Sequence, residues 1–200
     1  MKQDNLTFRQ KLALRREMLK HLTDPPVIME THGGLGKLFM SCYRHVESGV
    51  VFERDPDRAA VLSQQRPTWA VYEGDAEAAI GQGGGSHLMV NVLDIDPYGQ
   101  PWPVIDAFFK SDRPRAASLF VAVNDGLRQH TRLKKGVANE SLSEAVIEFG
   151  ENLFPVYLDV CRWLMEQKAG QAGYGLTRWA GYYCGKFKNM THYLARLELN

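Results

Sequence analysis

One stretch constrains this chain more than any other. Val27-Ile28-Met29 lead into Glu30, three glycines follow at Gly33, Gly34 and Gly36, and an apolar-periodic run, LGKLFMSCY, continues from Leu35. That is the pattern of a strand, a tight glycine turn and a helix. Glycine lets the backbone take a positive φ and lets a ligand come close to the main chain. The next helix points its free N–H groups at whatever sits in the turn. Downstream the strand-then-helix order repeats, and each predicted strand ends in an acid. The chain therefore reads as a mostly parallel α/β sheet.

Residues 5–22 read as an amphipathic helix: Phe8, Leu12, Leu14, Met18 and Leu22 roughly follow helical spacing, with Arg9, Lys11, Arg15, Arg16 and Lys20 between them. Asp24-Pro25-Pro26 stops it. Its charges are either a solvated face or a basic arm for phosphates. Residues 1–24 are thus set apart from a domain over 25–200. Strands are expected at 26–30, 49–53, 69–72, 87–93 and 116–123, and helices at 36–45, 55–65, 75–80 and 102–110. Asp55 caps one helix and Pro56 suits its first turn. The glycine-rich loop 81–86 reads as a flexible surface connection, since a strand rather than a helix follows it. Ser141-Leu142-Ser143-Glu144 is a capping box opening a helical run to about residue 168, which Pro155 kinks or splits. The tail, 176–199, is rich in aromatic and β-branched residues around Gly185–Asn189 and reads as a hairpin.

Two hundred residues fit one domain with a buried core. The net charge is +1, so nucleic-acid binding would have to come from local clusters. Three scattered cysteines, Cys42, Cys161 and Cys184, argue for reduced thiols in a cytoplasmic protein and against a zinc site. No apolar run reaches the ~18 residues of a membrane span. The N-terminus carries charges where a signal peptide needs an apolar core.

The predicted strand ends fall at Glu30, Glu53, Asp75 and Asp94, at intervals of about twenty residues. Ligands of open α/β sheets bind at the carboxyl ends of the strands, near the switch point. Glu53 is placed to accept hydrogen bonds from ribose hydroxyls, and Asp75 from an adenine amine. The turn after the first strand would hold the rest of the cofactor. This is the layout of a Rossmann-like nucleotide-binding sheet.

The chain resembles the class I S-adenosylmethionine-dependent methyltransferases. Their first motif, E-x-G-x-G-x-G, compares with Glu30-Thr31-His32-Gly33-Gly34-Leu35-Gly36, where His32 replaces the first glycine. The resemblance spans roughly residues 25–199. It implies a seven-strand sheet closed by a C-terminal antiparallel hairpin, with S-adenosylmethionine as cofactor. The expected cofactor set is Glu30, His32, Gly33, Gly34, Gly36, Glu53, Arg54, Asp75, Ala76 and Asp94.

Asp94-Ile95-Asp96-Pro97-Tyr98-Gly99, followed by Pro101, resembles the D-x-D-P-[FY]-G-x-P motif of tRNA guanine-N2 dimethyltransferases. An exocyclic amine is a poor nucleophile because its lone pair is delocalised into the ring. A carboxylate and a backbone carbonyl accepting its N–H bonds return density to nitrogen, and an aromatic ring holds the base by stacking. Asp94 or Asp96, the Pro97 carbonyl and Tyr98 would supply these groups. The alternative is a plain Pro-Tyr-Gly turn with Asp94 as a helix cap. In-line transfer needs no metal.

The resemblance to the tRNA enzymes stops at that motif. They carry an Asn-Asp pair where this chain has Glu53-Arg54-Asp55, and a further RNA-binding domain. Arg128, Arg132, Lys134 and Lys135 are the expected nucleic-acid contacts, with RNA favoured over DNA. A protein partner would supply specificity. The rival reading is a methyltransferase-like binding subunit without catalysis, which His32 favours. A third is a methyltransferase for a small molecule or a protein.

Overall fold

Apolar runs separated by helix caps build the sheet in the computed structural model, which describes residues 7–132 and 140–200, the side chains of 140 and 141 excepted. The strands are β1 (Val27–Glu30), β2 (Ser48–Glu53), β3 (Ala70–Glu73), β4 (Val92–Ile95), β5 (Ser118–Asp125), β6 (Tyr174–Cys184) and β7 (Met190–Leu199). The helices are α1 (Phe8–Lys20), α2 (Pro56–Gln65), α3 (Ala76–Gly81), α4 (Trp102–Lys110), α5 (Arg128–Arg132), α6 (Glu140–Phe149) and α7 (Tyr157–Gln171). The strands form one sheet in the order β3-β2-β1-β4-β5-β7-β6. β1 to β5 are parallel, and β7 inserts antiparallel between β5 and β6. The closing hairpin is therefore present. The switch point lies between β1 and β4, because β2 and β3 run off one way and β5 the other.

Alternation along each strand explains why both faces are covered. Ile28, Val51, Val92 and Phe120 pack with Met18 of α1 and Leu62 of α2 on one face. Met29, Val50, Leu93 and Val121 pack with Trp102 of α4 and Leu164 of α7 on the other. Central parallel strands are apolar at successive positions for this reason. Helix starts follow local chemistry. The Asp55 carboxylate accepts from the Arg58 N–H with Pro56 in the first turn, and the Asp75 carboxylate accepts from the Ala78 N–H. Pro155 falls between α6 and α7, so it splits the run rather than kinking it. The Ser141 side chain of the expected capping box lies outside the described residues.

Four expectations need correction. The strand expected at 87–93 occupies Val92–Ile95. The Asn91 side chain sets its start by accepting from the Val27 N–H and donating to the Pro25 carbonyl, while residues 82–87 turn beneath it. Asp94 consequently sits inside the strand, and Asp96 takes the strand end. Asn124 and Asp125 likewise belong to β5 and do not follow it. The loop 81–86 is packed. Gly84 and Gly85 are buried, and a Cβ on Gly84 would lie 2.7 Å from the Ala79 carbonyl oxygen. Finally, the helix expected over 36–45 closes as a π-helical turn at Phe39–Tyr43.

Candidate functional site

The turn after β1 is fixed to both neighbouring strands. Thr31 N–H donates to the Asp94 carbonyl and Gly33 N–H to the Phe52 carbonyl, each at 3.0 Å. Gly34 and Gly36 take the positive φ angles, +55° and +71°. His32 has an ordinary φ, so it fits this backbone without strain. Gly33 is needed for close packing: a Cβ there would lie 2.5 Å from Leu62 Cδ1 and 2.6 Å from Val51 Cγ2. Glu53, at the end of β2, grips the turn. Its Oε2 accepts from the Gly34 N–H at 2.7 Å and its Oε1 from the Asp55 N–H at 2.9 Å.

His32 stands among acids. Its Nδ1 lies 2.8 Å from the Thr31 hydroxyl. Burial lowers its pKa, and the surrounding carboxylates of Asp96, Glu53, Asp75 and Asp94 pull the other way without overcoming it. The imidazole is therefore neutral near pH 7, in the field of these carboxylates. Asp75 is exposed beside it, and Ala76 behind it is buried. Arg54 lies beside Glu53 on the way into α2.

Glu30 is not open to a cofactor. It is 1% exposed and bound at 2.5 Å to the fully buried Arg66. Arg66 in turn stacks over the Phe39 and Trp69 rings, 4.3 and 5.2 Å from their centroids. Burial raises the Glu30 carboxyl, and Arg66 opposes the rise. The pair ties β1 to the end of α2 below the turn, which makes Glu30 a support for the glycines.

Asp94 is equally enclosed. Both of its oxygens are taken by Arg15 of α1, Nη2 to Oδ1 at 2.5 Å and Nε to Oδ2 at 2.8 Å, and the Tyr43 hydroxyl also donates to it. The wide π-helical turn brings that hydroxyl to the strand. Arg15 is fully buried and also donates to Asn124 Oδ1 at 3.2 Å. Asp94 thus anchors a helix from inside and has no edge left for an acceptor. Asp96 stands at the rim, with its side chain 19% exposed and paired with Lys11 at 2.7 Å. Burial pushes the Asp96 carboxyl up, but Lys11 and Arg15 outweigh burial and hold it below the usual range.

Two buried atoms beside this group have no hydrogen-bond partner among the described residues: Asn124 Nδ2 and His192 Nε2. Their residues pair across β5 and β7. Arg15 can only donate, so it fixes Oδ1 of Asn124 toward itself and Nδ2 away. Tyr182 donates its hydroxyl proton to the Gln10 carbonyl, so its oxygen accepts from Nδ1 of His192, and Nε2 is left as a bare acceptor. Burial pushes His192 down to about 3, so it is neutral.

The loop after β4 carries Pro97, half-buried, and Tyr98, completely exposed. Gly126 N–H donates to the Gly99 carbonyl at 3.0 Å, tying this loop to the end of β5. Arg128 does not reach solvent. It is 5% exposed, sandwiched 3.8 and 3.7 Å from the Phe154 and Tyr183 ring centroids, and it donates to the Phe154 and Lys188 carbonyls. It joins α5, the α6–α7 connection and the tip of the β6–β7 hairpin, so it is not a nucleic-acid contact. Arg132 is exposed, and Lys134 and Lys135 lie outside the described residues. Among the described residues, no group of three His, Cys, Asp or Glu is placed to hold a metal. No described helix is long and apolar enough to cross a membrane.

Lys11 and Arg15, expected as a solvated face or a basic arm for phosphates, instead pair with Asp96 and Asp94, and Tyr43, Arg66, Asn124 and His192 were not expected at the site. Only the first two left a sequence signal: cations four apart on a helix, against acids two apart on a strand.

No protein-family model matches the chain, and no curated protein matches it in sequence. Solved structures do match. TYW2 of M. jannaschii in complex with AdoMet is 11% identical at a TM-score of 0.58, covering 100% of this chain and 79% of that one. Trm1 of Pyrococcus horikoshii with S-adenosyl-L-methionine is 12% identical at 0.69, covering 100% of this chain and 57% of that one. The plantazolicin methyltransferase BamL, in complex with a triazolic desmethylPZN analog and SAH, is 8% identical at 0.57, covering 98% and 85%. The seven-strand sheet with its antiparallel β7 thus has the fold of these solved structures, the class I S-adenosylmethionine-dependent methyltransferase fold.

Proposed function

We propose that the chain is an S-adenosylmethionine-dependent methyltransferase acting on an exocyclic amine of a nucleobase in nucleic acid, RNA before DNA. The observation that carries this reading is a glycine turn at the switch point, open above Gly34, with a neutral His32 on which the Glu53, Asp75 and Asp96 carboxylates act electrostatically. Several carboxylates acting near one turn suit a ligand with a sulfonium and an ammonium charge. The space above Gly34 is open, since a Cβ there would meet nothing within 4 Å. Both Glu53 oxygens accept from the backbone, yet each keeps a lone pair for a ribose hydroxyl. The residues present therefore fit the cofactor: Glu53 for the ribose, Asp75 for the adenine amine, and His32 with Gly33 and Gly34 beside the methionine portion.

When bound, the cofactor supplies a methyl group already activated by the sulfonium charge. The chain's own residues then orient the acceptor. Asp96 and the Pro97 carbonyl accept the amine N–H bonds, and Tyr98 stacks on the base. Asp96 holds an N–H proton without taking it, because its own basicity is depressed. The proton released on transfer leaves to solvent at the open rim. BamL, with a triazolic analog bound, shows that the fold does not choose the acceptor. That choice rests on the resemblance of Asp94–Gly99 to the tRNA enzymes.

One observation favours the non-catalytic rival: both acids of the DxD pair are already ion-paired to α1. Calorimetric titration with S-adenosylmethionine separates the readings. Micromolar binding is expected, weakened at least tenfold in Glu53→Ala and in Asp75→Ala, with thermal melts of the unliganded variants as the control for folding. An intact protein that binds nothing at millimolar ligand would leave the partner-subunit reading in its place.

A further inference from the structure

We propose that Lys11 of α1 is a positioning residue of the acceptor site, fixing the Asp96 carboxylate in one orientation with lone pairs left for the incoming N–H. The inference rests on the methyltransferase reading above and assigns a part in the site to a helix outside the glycine turn and the DxDPYG loop.

The geometry begins with spacing. Lys11 and Arg15 are four residues apart, which is a rise of about 6 Å along a helix. Asp94 and Asp96 are two apart, which is about 6.6 Å along a strand. The two cations therefore meet the two acids in register, Arg15 on Asp94 and Lys11 on Asp96. The two pairs differ in setting. Arg15 and Asp94 are completely buried, while Lys11 and Asp96 have side chains 18% and 19% exposed. The inner pair anchors the helix, and the outer pair sits at the mouth where an acceptor would arrive.

Lys11 engages Oδ1 of Asp96 at 2.7 Å and the Asn124 side chain, though it closes no hydrogen bond, also acts on the carboxylate as a donor, so an incoming N–H takes the lone pairs these two leave. Without Lys11 the carboxylate keeps the Asn124 amide but loses its paired cation, so it turns and takes up a proton more readily. The charged and polar groups facing it are then Arg15 from α1, Glu30 from β1, His32 from the turn, Asn124 from β5 and His192 from β7. Both histidines are neutral near pH 7 and Glu30 is bound to Arg66, so among these described residues Arg15, already on Asp94, is the cation that remains. Lys11 is also the member of the latch that can be removed without exposing a buried charge. Removing Arg15 would strand Asp94 in the interior.

Lys11→Met and Lys11→Arg in the full chain test this, with two readouts. The first is the carboxylate titration of Asp96 by NMR of aspartate-labelled protein, assigned with Asp96→Asn. The second is the pH profile of methyl transfer from tritiated S-adenosylmethionine to an unmodified tRNA transcript. In Lys11→Met the Asp96 titration and the acid limb of kcat are expected to move up together by at least one pH unit, a tenfold loss of rate on that limb. Lys11→Arg restores both. A titration that does not move, or a rate lowered equally at every pH alongside a lowered melting temperature, overturns the proposal and leaves Lys11 a packing residue. If the intact protein neither binds the cofactor nor transfers methyl groups, the enzyme reading itself has failed and the proposal falls with it. An active protein indifferent to Lys11→Met sinks the positioning role alone.

Discussion

Asp125, at the end of β5, is completely buried with acceptor contacts from the Leu127 N–H at 2.7 Å and the Tyr157 hydroxyl at 2.9 Å. No cation is among its contacts, and burial pushes its carboxyl up to about 7. The unfolded chain binds that proton only below ~4. The fold therefore binds more protons than the unfolded chain between about pH 4 and 7, and stability falls as pH rises through that window. A shift of about three pKa units corresponds to a loss on the order of 4 kcal/mol by pH 8. Asp125→Asn keeps an acceptor for Leu127 and removes the charge. Its denaturation midpoint is expected to vary less with pH than that of the natural chain and to exceed it at pH 8. Glu30, raised by burial against Arg66, leaves a residual slope of the same sign. A variant with an unchanged pH slope would mean that Asp125 ionises in the fold at its ordinary value.

At the scale of elements, the turn between β1 and the π-helical segment separates two reasons for glycine. Gly33 is required by packing, with Leu62 and Val51 side-chain atoms where a Cβ would stand, whereas Gly34 is required only by its φ of +55° and faces open space. Gly33→Ala is expected to cost about 1–3 kcal/mol by overpacking. Gly34→Asn costs less, because asparagine tolerates the left-handed region. Urea midpoints in the reverse order would show that α2 moves freely away from the turn. Elements with local punctuation were legible in the sequence. The Asp55-Pro56 cap, Asp75, Pro155 and the hairpin around Gly185 mark ends that the chain signals within a few residues. β4 was misplaced because His87–Asn91 is as apolar as a strand, and only the long-range bonds of Asn91 to Pro25 and Val27 decide where pairing starts. The same limit hid the ends of the site. Glu30 and Arg66 are 36 residues apart and Arg15 and Asp94 are 79 apart, so nothing local distinguishes these charges from a solvated face. Glu53 and Asp75 stand where the strand-end rule put them, whereas Asp94 lies inside β4 and leaves the end to Asp96, and Glu30 at the end of β1 is a buried support.

Across the whole molecule, charge limits how a nucleic acid can be held. The net charge is +1, and the cations expected to grip a polymer are fewer than the sequence implied. Arg128 is enclosed, Arg15 and Lys11 are paired with the DxD acids, and Arg66 and Arg113 are buried. Among the described residues, Arg9, Arg132, Lys186 and Lys188 are exposed and, with Arg16 and Lys20 lying further along α1, are on the proposed reading the four that a polymer at the β4 and β5 rim would meet. About four phosphate contacts give a log–log slope of affinity against salt of about −3, using ~0.7–0.9 per contact. Such a grip is weak, so on the proposed reading the acceptor base itself would supply much of the binding through Asp96, Pro97 and Tyr98. Filter binding of an unmodified tRNA transcript across a salt series measures that slope. The joint variant Lys186→Ala, Lys188→Ala is expected to flatten it by nearly half, since it removes two of the four contacts. A slope near zero with methyl transfer intact would point to a small-molecule or protein acceptor. A slope several units steeper would require a polymer path over cations beyond these four, and with it a recognition surface larger than the rim of this sheet.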